Sequence, residues 1–245
     1  FLRIPGLDAV NSILTHETYD RKIIGGCDIF ATKSVSTDRK AFKQLSSSLD
    51  SRYASDLATT QTMASLHHQH SGSSSSPLTS PDSDDRKLSL SPELLLSSPF
   101  GPLNEPNSKK TFAYLLGTLN AVHPDYNFFS VLRPWDFKRE RSLRKVIADF
   151  DGYFLASTPS SSTSPGPTRG SSAVRASTGI WSLLDREMDL RHCQIWSYRP
   201  EDDDLLLEDE GSDSEDGDEA EGTLWSVHYF FYSKAKKRVA YLHLK

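Results

Sequence analysis

The sequence predicts an α+β fold: a single-domain sandwich in which a mainly antiparallel sheet is packed by helices, interrupted by long disordered insertions. Three observations carry that expectation. Strand-like runs lie near both ends, with helical periodicities between them. Stretches poor in apolar residues separate the periodic pieces. The run from Gly222 to Leu244, GTLWSVHYFFYSKAKKRVAYLHL, reads as an antiparallel hairpin turned by Lys234 to Arg238. Its first arm is apolar or aromatic on both alternating faces: Leu224, His228, Phe230 and Tyr232 on one, Trp225, Val227, Tyr229 and Phe231 on the other. A strand of that kind is covered on both sides, so the hairpin belongs inside a sheet.

Taken in chain order, Leu7, Val10 and Leu14 fall three and four apart, the spacing of a short helix. Ile23 to Thr32 reads as two short strands bent at Gly25-Gly26. Asp38 to Leu45 reads as a helix capped by Asp38. Ser108 is placed to cap a clearer helix carrying Phe112, Leu115, Leu116 and Leu119. Leu143, Val146, Ile147 and Phe150 repeat that spacing, and Trp181, Leu184 and Met188 mark another helix. Cys193 to Tyr198 alternates as a strand. These pieces, residues 1–45, 108–157, 180–200 and 222–245, are expected to form one globular domain of roughly 140 residues. Residues 46–107 are expected as a disordered Ser-rich phospho-loop, 158–179 as a disordered Ser/Pro-rich loop, and 201–221 as an acidic disordered loop. Loop closure costs grow only logarithmically with length, so such insertions are tolerable.

The formal net charge of -5 conceals a division. Residues 201–221 hold 13 acidic residues and no basic ones; without them, 28 basic residues face 20 acidic, a formal +8. A basic body thus carries an acidic ribbon, read first as a solvated loop and alternatively as a segment that lies on the body and competes with an acidic partner. No run of eighteen apolar residues occurs, and Phe1 to Pro5 carry no signal-peptide pattern. Cys27 and Cys193, far apart in strand-like runs, are expected as buried free thiols in a cytosolic or nuclear protein.

A search for chemistry finds no catalytic constellation. Gly25-Gly26 belongs to no GxxxxGK[ST] or GxGxxG motif, and GxSxG is absent. His67, His68 and His70 lie in a Ser-rich context without the further ligands and rigid shell a metal needs. No catalytic residue, cofactor or metal ligand is therefore assigned. A split site of His123, Asp149 and Asp151 is the enzymatic alternative. Basic positions carry more weight: Lys138, Arg139, Arg141, Arg144 and Lys145 before and along one helix, and Lys234, Lys236, Lys237 and Arg238 in the hairpin turn. Each set is either a solvated face, a patch for an acidic partner, or part of a nuclear import signal. Direct DNA binding is not expected, because the aromatic residues read as buried rather than exposed for stacking. Phosphorylation candidates are Ser89 in Arg86-Lys87-Leu88-Ser89, which suits a kinase of the protein kinase A type, the proline-directed Ser80, Ser91 and Ser98, and Ser212 in a casein-kinase-2-like acidic setting. Each phosphate adds about -1.5 to -2 charge, so several would offset much of the +8 body.

Three blocks resemble a known family, the Maf-type repressors of RNA polymerase III transcription. The first is Phe1 to Lys33, with LDAVNSIL, IIGGCDIF and ATK; the second is Lys110 to Leu155, with TFAYLLGTLNAVHPDYNFFSVLRPWDF and VIADF. The third is Ile195 to Leu244, with IWSYRPEDDD and WSVHYFFYSKAKKRVAY. The chain departs from the family pattern WSFNYFFYNK at Ser226-Val227-His228 and Ser233-Lys234, and from Asp-Pro-Phe at Asp204-Leu205-Leu206. The resemblance implies a phosphoprotein of nucleus and cytoplasm that binds the clamp region of RNA polymerase III and hinders its engagement with TFIIIB at promoters. It implies phosphorylation-dependent shuttling in response to nutrients and stress, with kinases of the protein kinase A and TOR-pathway types, a phosphatase and nuclear transport receptors as partners. It implies no catalytic residue and no membrane. A phosphoregulated adaptor for another acidic partner is the alternative that loop composition alone supports.

Overall fold

The structure, a computed structural model, describes residues 2–17, 22–32, 36–70, 98–157, 170–199 and 225–245. Its elements in chain order are α1 (Leu7–Leu14), β1 (His16–Glu17), β2 (Lys22–Ile23), β3 (Gly25–Ala31), α2 (Ser36–His70), α3 (Pro106–Val122), α4 (Phe128–Val131), a 3-10 turn (Pro134–Asp136), β4 (Phe137–Glu140), α5 (Leu143–Ser157), α6 (Gly170–Met188), a second 3-10 turn (Leu190–His192), β5 (Gln194–Tyr198), β6 (Val227–Ser233) and β7 (Arg238–Leu244). The mixed α+β class is as the sequence predicts. The described residues fall into two compact units, one of residues 1–33 and 114–245 and one of residues 34–113.

The first unit is built on an antiparallel sheet of order β3-β7-β6-β5-β4. The greasy hairpin β6–β7 occupies its middle, with register running from Val227↔Leu244 to Ser233↔Arg238. β3 pairs with β7 and β5 with β6, so each hairpin strand has a neighbour on its outer side. β1 and β2 form a separate two-stranded ribbon; the break before β3 falls at Ile24, while Gly25 and Gly26, expected as the bend, lie paired within β3. One sheet face, carrying Cys27, Ile29, Ile195, Tyr229, Phe231 and Leu242, packs in one apolar cluster with α1, α5 and α6. The side chains that meet it are those read from periodicity, including Leu7, Val10, Leu14, Val146, Phe150, Leu184 and Met188. The other face presents Trp196, Phe230 and Tyr241, all buried. It is met by the latter part of α3 and by α4: Tyr114 lies 5.7 Å from Tyr232, and His123 lies 6.0 Å from Phe128 and 6.4 Å from Tyr241 between ring centroids.

Two close approaches explain the Gly25-Gly26 pair. A Cβ at Gly25 would meet the backbone oxygen of Leu14 at 2.8 Å and its Cβ at 2.9 Å, so α1 seats directly on this strand. A Cβ at Gly26 would meet the His243 ring at 2.7 Å. The two free thiols differ: Cys27 is buried and Cys193 partly so, and its Sγ lies 3.4 Å from the Met188 carbonyl oxygen.

The structure departs from the sequence reading in several places. The helix expected to end at Leu45 runs on as α2 to His70, into the segment 46–107 expected as disordered. Its helical tail has little amphipathic signature, only Leu45 and Leu49 being buried among its described side chains, so periodicity could not find it. α6 starts at Gly170, inside the expected loop 158–179. Ser108 lies within α3 rather than before it, and its Oγ donates to the Phe100 carbonyl at 3.0 Å. The second unit holds α2, the turn at Ser98–Gly101 and the start of α3; inside it Lys109 forms an ion pair with Asp50, and Phe100 and Phe112 lie 5.3 Å apart.

Gly25→Ala is expected to destabilise the protein by about 2 kcal/mol or more, because backbone rather than a mobile side chain blocks the new methyl. Gly26→Ala, which meets only the His243 ring, is expected to cost less. Urea denaturation followed by tryptophan fluorescence ranks the two.

Candidate interaction surface

The basic residues singled out from the sequence divide into two groups with different duties. The first surrounds β4, an edge strand of the sheet, and the start of α5. Lys138 is exposed and pairs with Glu140 at 3.6 Å, while Glu140 accepts the Ser197 hydroxyl at 2.8 Å. The Arg139 guanidinium sits 4.2 Å above the Trp196 ring on the other face. Arg141, Arg144 and Lys145 are exposed. Ser142 caps α5, its Oγ accepting the Lys145 N–H at 3.3 Å. The first turn of α5 contains no acidic residue, so Arg144 and Lys145 stand at the positive end of the helix dipole. Cations there are mildly destabilising.

The second group is the hairpin turn, and here two cations are committed to the fold. Lys236 Nζ donates to the Arg186 carbonyl at 2.8 Å. Arg238 Nη1 donates to the Glu187 carbonyl at 3.3 Å and to its carboxylate at 3.0 Å. Both carbonyls end α6, so these two side chains cap its negative terminus. The arrangement holds the Glu187 carboxyl below the usual range, through its hydrogen bond from Arg186 first and from Arg238 also. Lys234 and Lys237 remain exposed, Lys237 in a left-handed conformation (φ 53°) that completes the turn.

Beside the first group a cleft of about 630 Å³ is lined by Lys138, Lys145, Asp149, Tyr153, Arg199 and Trp225. Tyr153 and Trp225 stack at 4.8 Å, with the Arg199 guanidinium 6.0 Å over Tyr153. Arg199 and Trp225, the described residues on either side of residues 200–224, thus both line this cleft, while residues 200–224 themselves lie outside the described residues.

The alternative enzymatic trio is not assembled. Asp151 accepts the Ser177 hydroxyl at 2.7 Å and the Trp181 Nε1–H at 3.0 Å, tying α5 to α6. Asp149 lines the cleft on the same side of the sheet, whereas His123 lies on the opposite face. There, half-buried, it lies against a buried pair that sequence reasoning missed. His228 and His243 are cross-strand partners whose rings stack at 6.2 Å, and His123 stands 6.3 Å from His243. The Tyr241 hydroxyl lies 2.7 Å from His228 Nδ1. His228 Nε2, His243 Nδ1 and His123 Nε2 have no hydrogen-bond partner among the described residues. Burial, followed by repulsion from the other histidines and Lys245, pushes His228 down to about 3. Burial, then His123 and Lys245, pushes His243 down to about 4. Burial also lowers His123. Stacked rings do not converge on a point, and no metal-ligating cluster occurs among the described residues. The only sequence signal was the hairpin register, which brings residues 228 and 243 opposite one another. No helix among the described residues is long and apolar enough to cross a membrane.

Of the phosphorylation candidates, Ser80, Ser89, Ser91 and Ser212 lie outside the described residues. Ser98 is buried; its Oγ donates to the Gly101 carbonyl at 2.6 Å and accepts the Phe100 N–H at 3.3 Å. A kinase reaches it only after that turn opens. His67, His68 and His70 fall in the last turns of α2.

Comparison with known proteins gives a consistent picture. A family model described as Maf1 regulator matches residues 23–243. The Schizosaccharomyces pombe protein named repressor of RNA polymerase III transcription maf1 is 34% identical over 245 residues, covering 100% of this chain and 81% of that protein. The Saccharomyces cerevisiae repressor of RNA polymerase III transcription MAF1 is 36% identical over 163 residues, 65% of this chain and 33% of that protein. The crystal structure of citrus MAF1 in one crystal form superposes with a TM-score of 0.54 at 22% identity, covering 97% of this chain and 95% of that one.

Two predictions follow from the geometry. His228 and His243 are held neutral in the fold but take up protons near pH 6.5 when unfolded. Their contribution is fully present above about pH 6.5 and is lost as pH falls towards 4, by up to about 1.4 kcal/mol per pH unit for each histidine. His243→Gln is expected to flatten that slope, as read by thermal melts across pH 4 to 7. Arg238→Ala is expected to cost about 1 kcal/mol through the uncapped α6 terminus, against less than about 0.5 kcal/mol for Lys234→Ala, in urea denaturation.

Proposed function

This chain belongs to the Maf1 regulator family, and on that footing we propose that it represses transcription by RNA polymerase III. The observation that carries the proposal is the relative matched over the whole chain, whose name states that role. In this reading the protein works by occlusion: it binds the polymerase clamp region and hinders engagement with TFIIIB at promoters. The exposed cations around β4 and α5 support a binding surface of this kind, because Arg144 and Lys145 sit where the helix dipole disfavours them and an anionic partner would relieve that repulsion. Lys234 and Lys237 add exposed charge; Lys236 and Arg238 hold the fold instead.

Control is assigned to phosphorylation of Ser89, Ser80, Ser91 and Ser212, by kinases of the protein kinase A, TOR-pathway and casein kinase 2 types and an opposing phosphatase. Added negative charge would weaken docking of a basic body on an acidic partner and change its traffic, through transport receptors, between cytoplasm and nucleus. Ser98 fits this scheme least well, since its hydroxyl is already used.

The test is transcription of a tRNA gene from purified polymerase III and TFIIIB. Dephosphorylated protein is expected to inhibit, and the triple variant Arg141→Glu, Arg144→Glu, Lys145→Glu to need about tenfold more protein for the same inhibition. No inhibition by the dephosphorylated chain rejects the repressor reading; equal inhibition by the variant rejects this surface. Ser89→Glu is expected to weaken repression or nuclear retention relative to Ser89→Ala.

A further inference from the structure

The two edges of the main sheet are treated differently. In an antiparallel sheet each residue directs both its N–H and its C=O to one side, alternating along the strand. On β3 the outward groups are taken up by the chain itself. Cys27 N–H donates to Asn11 Oδ1 at 2.7 Å, Ile29 C=O accepts the Leu2 N–H at 2.8 Å, and Gly25 C=O accepts the Thr15 hydroxyl at 2.8 Å. That edge is closed.

The alternation can be followed across the sheet. With Cys27 and Ile29 outward, the registers place Asp28↔Tyr241, Tyr229↔Leu242, Trp196↔Phe230 and Lys138↔Ser197 as the bonded pairs. On β4, Lys138 and Glu140 then bond inwards to β5, and Arg139 directs its N–H and C=O outwards. The start of the strand agrees, because the Phe137 N–H is turned back to the Pro134 carbonyl. Neither backbone group of Arg139 has a hydrogen-bond partner among the described residues. The surroundings are predominantly positive: Lys138, Arg141, Arg144 and Lys145 are exposed, against Glu140, occupied by Ser197 and Lys138, Asp136, which accepts the Arg133 N–H, and Asp149 in the cleft. Trp135, 50% exposed, stands just before the strand.

Short, charged edges normally repel strand addition. Here the exposed charge is predominantly positive, so it disfavours cationic strands and attracts an acidic one. We propose that the β4 edge is a docking strand for an extended acidic peptide of a partner protein, which pairs with the outward N–H and C=O of Arg139 as a sixth strand of the sheet. The side chains beside it select for acid: carboxylates on one face of the added strand meet Lys138 and Lys145, and those on the other meet Arg139. This docking would operate whichever partner supplies the peptide, and it goes beyond the polymerase reading.

The test uses the full chain and a blocked octapeptide of alternating valine and glutamate, with a second peptide N-methylated at alternate residues so that it keeps the charge but cannot pair. The unmodified peptide is expected to bind at low salt, and the methylated one about tenfold or more weaker. Arg139→Pro removes the outward N–H at an edge position that tolerates proline, whereas Arg139→Ala removes only the side chain. Proline is expected to weaken binding about tenfold beyond alanine. Should the proline variant not fold, hydrogen exchange at the Arg139 amide of the unaltered chain decides: slowed exchange on adding peptide supports the docking strand. No binding, equal binding of the two peptides, equal effects of the two substitutions, or unchanged exchange would each overturn it. An Arg139 amide already protected in the free chain and released by about 0.5 M salt would overturn the partner as occupant, in favour of the chain's own residues 201–221.

Discussion

The first unit depends on one constraint: the β6–β7 hairpin is apolar on both faces and must be covered on both. Phe230 and Tyr241 point one way, Tyr229, Phe231 and Leu242 the other, and all are buried. No single neighbouring segment supplies both covers. One comes from α1, α5 and α6, the other from the end of α3 and α4, so distant stretches of sequence are recruited to the same two strands. The hydrogen-bond alternation set at this hairpin then runs outwards without interruption to both edges, where it determines which backbone groups β3 and β4 offer.

The two covers differ chemically. The face under α1, α5 and α6 is aliphatic and aromatic, with Asp151 satisfied by Ser177 and Trp181 at its rim. The opposite face buries His228 and His243 beside Tyr241, with His123 half-buried against them, and leaves several ring nitrogens without partners among the described residues. Such groups are costly in an apolar setting unless neutral. Their neutrality gives this layer a dependence on acidity that the aliphatic layer lacks. The exposed chemistry lies elsewhere, in the cations of β4, α5 and the hairpin turn, and the fold has already claimed two of those.

Much of the fold was legible because period carries it. Leu7, Val10 and Leu14, the α5 set around Val146 and Phe150, and the doubly apolar hairpin all announce their elements. The tail of α2 was not legible: a polar helix has the composition of a loop, and Ser and Thr read as breakers until a helix is seen to contain them. β4 was missed because Phe-Lys-Arg-Glu shows four residues and a single apolar one. For the surface, sequence found the basic residues but could not divide them. Whether Lys236 solvates or caps depends on the end of α6 lying beside the turn, a fact of tertiary structure with no local mark.

The order of strands has a consequence for how the molecule comes into being. β3 is made early, yet the strand it pairs with, β7, is made after all the others. On a translating ribosome β3 therefore waits without its partner while β4, β5 and β6 emerge. β4 to β7 can pair in the order in which they are made, but β3 joins them only when β7, the strand between it and β6, arrives. Until then the pairing edge of β3 stands open in the nascent polypeptide, a long-range contact that slows closure of the sheet.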